Sequence, residues 1–140
     1  MNCYIVGIMN NLLFIYGTLL NEDNEYAVYL KNNSRLYSAG KLKGKLYDIG
    51  QYPGAILSKS NEYVYGSILQ LNNLTKVLPL IDAYERYGDN QPQPNEFIRV
   101  SVEVETGAGP VACWVYLYNL PVTGLTLIES GRYIKKAPRS

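Results

Sequence analysis

Asn11-Leu-Leu-Phe-Ile-Tyr-Gly-Thr-Leu-Leu20 is the stretch around which the rest of the chain is read. Leu12 to Ile15 is an unbroken apolar run that stops abruptly at Tyr16-Gly17-Thr18. A short apolar run closed by a turn signal reads as a buried strand. Gly17 has two readings. It only turns the chain, or its missing side chain lets a ligand approach the main chain, since glycine adopts backbone angles closed to other residues. Backbone N–H groups exposed at such a turn form a small concave anion site.

Downstream, the polar stretch Asn21 to Asn33 offers Asn21, Asp23 or Asn24 as the cap of a short helix holding Ala27, Val28 and Leu30. Ser34 to Ala39 and Lys41 to Ile49 read as strands broken by Gly40 and Gly44. Tyr52-Pro53-Gly54 is a turn signal, followed by a short strand from Ala55 to Leu57. Glu62 to Leu71 alternates, with Gly66 where a strand would bend at a barrel corner. Leu74, Val77, Leu78 and Ile81 recur at helical spacing after Asn72 or Asn73 as cap. Pro79 removes a donor, so the sequence predicts a single turn from Leu74 to Leu78 and then a helix with Pro79 in its first turn, ending at Gly88. Gly88 to Asn95 reads as a mobile loop. Phe97 to Glu105 and Val111 to Leu120 read as a hairpin whose loop is longer than two residues. Pro121 to Ser140 reads as a tail with a last turn around Ile128 to Tyr133. Several short strands with one or two short helices predict an α+β fold, a small mixed β-barrel.

At 140 residues the chain suits one domain, 1–140, with residues 1–10 as an extension and 121–140 as the tail. Apolar residues make up 47% and charged residues 18%, which fits a compact globule and argues against disorder. The net charge is +1 and no basic block occurs, so nucleic acid and anionic membrane are not expected partners. The 14 tyrosines would otherwise suit base stacking; without a basic groove they read as strand and pocket residues. Cys3 and Cys113 have neither disulfide-framework nor metal-ligand spacing, which fits a reducing, cytoplasmic setting. The apolar stretch Cys3 to Met9 lacks the positive leader and cleavage site of a signal peptide. With no histidine, Ser-His and Cys-His pairs are excluded, and acid–base work falls to Asp, Glu, Lys, Tyr or Cys.

Among these, Glu85 stands out. Four residues after Ile81, it lies on or beside the stripe facing the core. A carboxylate there is costly to bury, and desolvation raises its pKa toward the range a general base needs. The alternative is a solvated glutamate paired with Arg86 or a lysine. A glycosidase built on Asp82 and Glu85 is weak, because residues three apart on one helix cannot flank a sugar from opposite faces.

Tyr16-Gly17-Thr18-Leu19 after an apolar strand resembles the signature loop of the γ-glutamylcyclotransferase-like family, which includes the γ-glutamylamine cyclotransferases and the plant avirulence-induced proteins. Gly44-Lys45-Leu46-Tyr47-Asp48 with Tyr52-Pro53-Gly54, then Val64-Tyr65-Gly66, then Ile81-Asp82-Ala83-Tyr84-Glu85 follow in the family's order. Phe97-Ile98-Arg99-Val100 and Ala112-Cys113-Trp114-Val115-Tyr116 resemble its last two strands. Each motif is short; the ordered set covers roughly Leu12 to Tyr118. The sequence departs from the pattern at Arg86, where glycine is usual, and at Leu20, where a basic residue is common.

The resemblance implies a reaction that needs no cofactor and no metal. A γ-glutamyl amine or peptide would cyclise to 5-oxoproline and release its amine, with Glu85 as general acid/base. Backbone N–H groups of Tyr16, Gly17, Thr18 and Leu19 would hold the α-carboxylate, and Tyr116 would point its hydroxyl into the same pocket. Arg99 has two readings, a carboxylate-binding group or a structural partner of Asp82 or Glu103. The expected partner is the small-molecule substrate, with the chain a monomer or homodimer. The second function class is a binding module on the same barrel, holding a small carboxylate ligand without turnover, with Glu85 as a pocket wall.

Overall fold

The computed structural model describes residues 10–17 and 25–134. Its strands are β1 (Leu12–Ile15), β2 (Ser34–Asp48), β3 (Pro53–Leu57), β4 (Tyr63–Leu71), β5 (Phe97–Thr106), β6 (Gly109–Tyr118) and β7 (Thr126–Leu127). Helix α1 spans Glu25–Asn32 and helix α2 spans Leu74–Tyr84. Neighbouring strands run β2-β4-β1-β6-β5, and β5 returns to β2 at Glu105 opposite Lys41, closing a five-strand barrel. Strand β1 is antiparallel to β4 but parallel to β6. Strands β3 and β7 flank the far half of β2. This is the small mixed α+β barrel expected from the sequence.

The strand period of two sorts the core into two layers. Phe14, Leu42, Val64, Ile68, Val104, Cys113 and Val115 fill the barrel. Their neighbours Leu13, Leu69 and Tyr116 face outward, where Leu30 of α1 and Val77, Leu78 and Ile81 of α2 cover them. Leu13 and Phe14, adjacent in the apolar run, are 0% and 1% exposed on opposite faces of the same strand. That is why the run carries no alternation: both sides of β1 are covered.

Four local expectations are corrected. First, Gly40 and Gly44 do not break a strand; β2 is continuous for 15 residues, with its irregularity between Leu36 and Ser38. At Gly40 a Cβ would press on Val104 Cγ1 at 2.8 Å, so the glycine serves barrel closure.

Second, Pro79 does not delay the helix, since α2 runs unbroken from Leu74 through Pro79 to Tyr84. Pro79 and Thr75 are exposed, so water can satisfy the carbonyl that a helical N–H at position 79 would have bonded. The buried stripe Val77, Leu78 and Ile81 supplies the packing that holds the helix.

Third, the β5–β6 loop has two residues, because Thr106 pairs with Gly109. Gly109 takes φ 111°, and the Thr106 hydroxyl accepts from the Ala108 N–H at 3.1 Å. Fourth, loop 88–95 is pinned by Asn95, which is 8% exposed. Asn95 accepts from the Gly88 N–H at 3.1 Å and donates to the Gly88 and Pro92 carbonyls at 3.1 Å each. Helix α1 holds Ala27, Val28 and Leu30 as expected, with Ala27 and Leu30 buried and Val28 exposed.

Asn73 is the N-cap of α2, but in the left-handed region at φ 51° and without a side-chain capping bond. Asparagine tolerates that conformation better than most residues. The candidate caps Asn21, Asp23 and Asn24 lie outside the described residues, as do Cys3 and the rest of the first nine. Residues 126–134 turn back onto the barrel: Ile128 N–H donates to the Leu46 carbonyl at 2.7 Å, and Tyr65 N–H to the Gly131 carbonyl at 2.8 Å. Among the described residues, no helix is long and apolar enough to cross a membrane.

Candidate functional site

Helix α2 lies over the barrel wall, its buried stripe packed on Leu13, Leu69 and Tyr116. Glu85 is its C-cap, with φ −82° and ψ 0°, and its N–H donates to the Ile81 carbonyl at 2.9 Å. Arg86 then takes φ 56°, the left-handed region, which turns the chain off the helix. A residue one past the cap commonly adopts this conformation, and glycine suits it best. The position where the family usually has glycine is thus one where the backbone asks for it.

Glu85 is partly buried. Burial first, and the negative charge of Glu96 second, push its carboxyl up from 4.5 to about 7. Among the described residues it has no ion pair; the ion pair found is Arg99 with Asp82. Arg86 is exposed and does not neutralise its neighbour.

Tyr16 marks the end of β1. Its hydroxyl donates to the Tyr116 carbonyl at 2.5 Å and accepts from the Ala55 N–H at 3.2 Å. Burial, and then the charge of Glu85, raise its ionisation far above the usual tyrosine range, so it is a permanent neutral donor. The Glu85 carboxylate is thus close enough for its charge to act on Tyr16. Gly17 does not use a positive φ; a Cβ there would lie 3.2 Å from Pro53 Cγ. Thr18 and Leu19 lie outside the described residues.

Two of the expected site residues, Arg99 and Tyr116, both bond Asp82. Arg99 donates to Asp82 through Nε at 2.8 Å and Nη2 at 3.1 Å, the structural alternative of its two readings. Burial opposes the Arg99 charge, but Asp82 more than offsets this and raises its pKa. The Tyr116 hydroxyl donates to Asp82 Oδ1 at 2.6 Å. The reason is register: Arg99 and Tyr116 are paired across β5 and β6, so both reach the same carboxylate on α2.

Sequence reasoning missed Glu96 and Tyr52. The Tyr52 hydroxyl donates to the Glu96 carboxylate, 2.7 Å from each oxygen. The Tyr52, Phe97 and Tyr118 rings pack on one another, with centroids 5.9 Å apart for Tyr52–Phe97 and 5.6 Å for Phe97–Tyr118. Glu96 follows a polar loop and Tyr52 sits in the bend before β3, so neither falls in a periodic run that would mark it. No group of three His, Cys, Asp or Glu among the described residues stands close enough to hold a metal ion.

A sequence model of the family described as gamma-glutamyl cyclotransferase, AIG2-like, matches residues 13–135. The chain is 30% identical over 124 residues to the gamma-glutamylcyclotransferase family protein YtfP of Escherichia coli K12, covering 89% of this chain and 96% of that protein. It is 31% identical over 124 residues to ytfP of Citrobacter rodentium, with the same coverage. The solution structure of E. coli ytfP superposes with a TM-score of 0.62 over 88% of this chain and 96% of that one. An AIG2-like protein of Mus musculus shares the fold, with a TM-score of 0.64 at 21% identity over 93% of this chain and 99% of that one. The Glu85 carboxylate at the end of α2, beside the Tyr16 end of β1, thus sits in a barrel of known kind, and the chain belongs to the gamma-glutamyl cyclotransferase, AIG2-like family.

Proposed function

We propose that the protein cyclises a γ-glutamyl amine or peptide to 5-oxoproline and releases the amine, with Glu85 as general acid/base. The observation that carries this reading is the state of Glu85: partly buried at the end of α2, without an ion pair among the described residues, and poised at about 7.

In this reading the substrate's α-ammonium gives a proton to the Glu85 carboxylate. The freed amine attacks the γ-carbonyl carbon and forms the new C–N bond of a five-membered ring. The leaving nitrogen takes the proton from Glu85, the intermediate collapses with cleavage of the original C–N bond, and the second proton of the attacking nitrogen passes to the released amine, giving a neutral lactam and an ammonium product. Nothing is oxidised or reduced, and the carboxylate is regenerated. Because nucleophile and electrophile belong to one molecule, the protein's larger task is to hold the glutamyl chain folded. Such positioning is worth roughly 7–11 kcal/mol in ideal cases. Backbone N–H groups of the 16–19 loop would grip the α-carboxylate. A cytoplasmic site of action is part of this proposal.

The test is release of 5-oxoproline from a panel of γ-glutamyl amines and dipeptides, wild type beside Glu85→Gln. Turnover by wild type that is lost in a folded Glu85→Gln supports the reaction and the base together. Absence of turnover across the panel, with both proteins binding a γ-glutamyl compound equally, would replace this reading with the binding module.

A further inference from the structure

Arg99 touches both ends of the turn that carries Glu85. At one end its guanidinium forks onto the Asp82 carboxylate, at 2.8 and 3.1 Å. At the other, its central carbon lies 5.8 Å from the centre of the Tyr87 ring. Glu85 and Arg86 sit between these two contacts, and the turn is closed by the Tyr87 N–H donating to the Asp82 carbonyl at 2.9 Å. The clasp is anchored to the barrel. Tyr116 of β6 donates to the same Asp82 oxygen at 2.6 Å. The Trp114 ring lies 4.6 Å from the Arg99 guanidinium, and its indole N–H donates to the Asn10 carbonyl at 2.9 Å.

A helix end of this kind has unsatisfied carbonyls and frays readily. A partly buried ion pair adds little net stability, because desolvation offsets its attraction, yet it fixes geometry. The planar fork of arginine makes two parallel bonds to a carboxylate and so sets direction as well as distance. Stability alone therefore accounts poorly for three polar side chains converging here.

We propose that Asp82, Arg99 and Tyr116 are positioning residues that clasp the 82–87 turn to strands β5 and β6 and hold the Glu85 carboxylate in register with the Tyr16 end of β1. The effect on turnover rests on Glu85 being the base; the effect on the Glu85 environment does not. A base displaced by about 1 Å loses on the order of a hundredfold in rate. Acting through Glu85 and not on the substrate, the clasp when lost should lower kcat and leave KM nearly unchanged.

The test compares wild type with Asp82→Asn/Arg99→Gln, which removes both charges together and keeps the net charge, and with Arg99→Lys, which keeps the charge but loses the fork. Two quantities are read in protein verified as folded: the NMR titration midpoint of the Glu85 carboxyl, and kcat and KM for 5-oxoproline release. The expected result is a Glu85 midpoint lowered by about one pH unit as the turn loosens and hydrates, with kcat at least tenfold lower. Arg99→Lys should show the same changes at smaller size, and it decides the matter if the double variant does not fold. A lowered melting temperature with an unchanged midpoint and unchanged kcat would overturn the proposal. If wild type turns over no γ-glutamyl compound, the functional reading fails, while the midpoint still decides the clasp.

Discussion

The Tyr16 hydroxyl bridges two strands that the chain brings together from far apart, donating to the Tyr116 carbonyl at 2.5 Å and accepting from the Ala55 N–H at 3.2 Å. One side chain at the end of β1 thus ties β6 to β3. Tyr16→Phe removes the oxygen and leaves a buried acceptor and a donor without partners. The expected loss of stability is about 1–3 kcal/mol, read from urea unfolding at pH 7. An unchanged midpoint of unfolding would mean that water replaces the hydroxyl and that the bridge is not structural.

Glu85 gives stability a pH dependence whose sign follows from the direction of its shift. Its carboxyl holds the proton up to about 7 when folded, against 4.5 as the ordinary value. Between those limits the folded chain binds more protons than the unfolded one. Its contribution is therefore fully present below about 4.5, declines as pH rises, and is gone above about 7. Glu85→Gln stays neutral throughout. The variant should match wild type at pH 4.5 and exceed it at pH 8 by roughly 2–3 kcal/mol at most. Melting curves at the two pH values check this. Equal gains at both would attribute the change to packing instead of charge.

Arg86 occupies the left-handed region at φ 56° directly after the cap residue. A non-glycine residue there costs about 1–2 kcal/mol, partly offset in a glycine variant by the greater freedom of the unfolded chain. Arg86→Gly should therefore stabilise by roughly 0.5–1 kcal/mol, and Arg86→Ala should not. Denaturant unfolding of the pair separates backbone strain from loss of the arginine charge. A gain in both variants would point to charge.

The fold was legible because β1 and the α2 stripe state their periods plainly. Leu12 to Ile15 is apolar on both faces and buried on both. Leu74, Val77, Leu78 and Ile81 recur at helical spacing, and the last three are buried. Glu85 was legible for the same reason, since it extends that stripe. What the sequence hid depends on contacts between distant positions. Arg99 meets Asp82 17 residues away and Tyr52 meets Glu96 44 residues away. Only the pairing of β5 with β6 decides that Arg99 and the Tyr116 hydroxyl reach the same Asp82 carboxylate. Pro79 misled because a local rule about a missing N–H was overridden by the packing of the buried face.

The segment after β7 is held by a contact that no side chain larger than hydrogen can share. Gly131 takes φ 71°, and a Cβ built on it would lie 1.9 Å from the Tyr63 carbonyl oxygen. The Gly131 carbonyl also accepts the Tyr65 N–H at 2.8 Å, and Arg132 lies 4.0 Å over the Tyr65 ring. Gly131→Ala must therefore push residues 128–132 off β4 or distort the strand. Gly124 has a positive φ as well, at 82°, but open space around it. It is the control for backbone strain alone. Gly124→Ala should cost about 1–2 kcal/mol, and Gly131→Ala about 2–4 kcal/mol, the difference measuring the steric contact with β4. Urea unfolding of both variants at one pH gives the comparison. Equal losses would show that the segment yields without disturbing the strand, and that residues 128–134 are a loose cover and not part of the barrel.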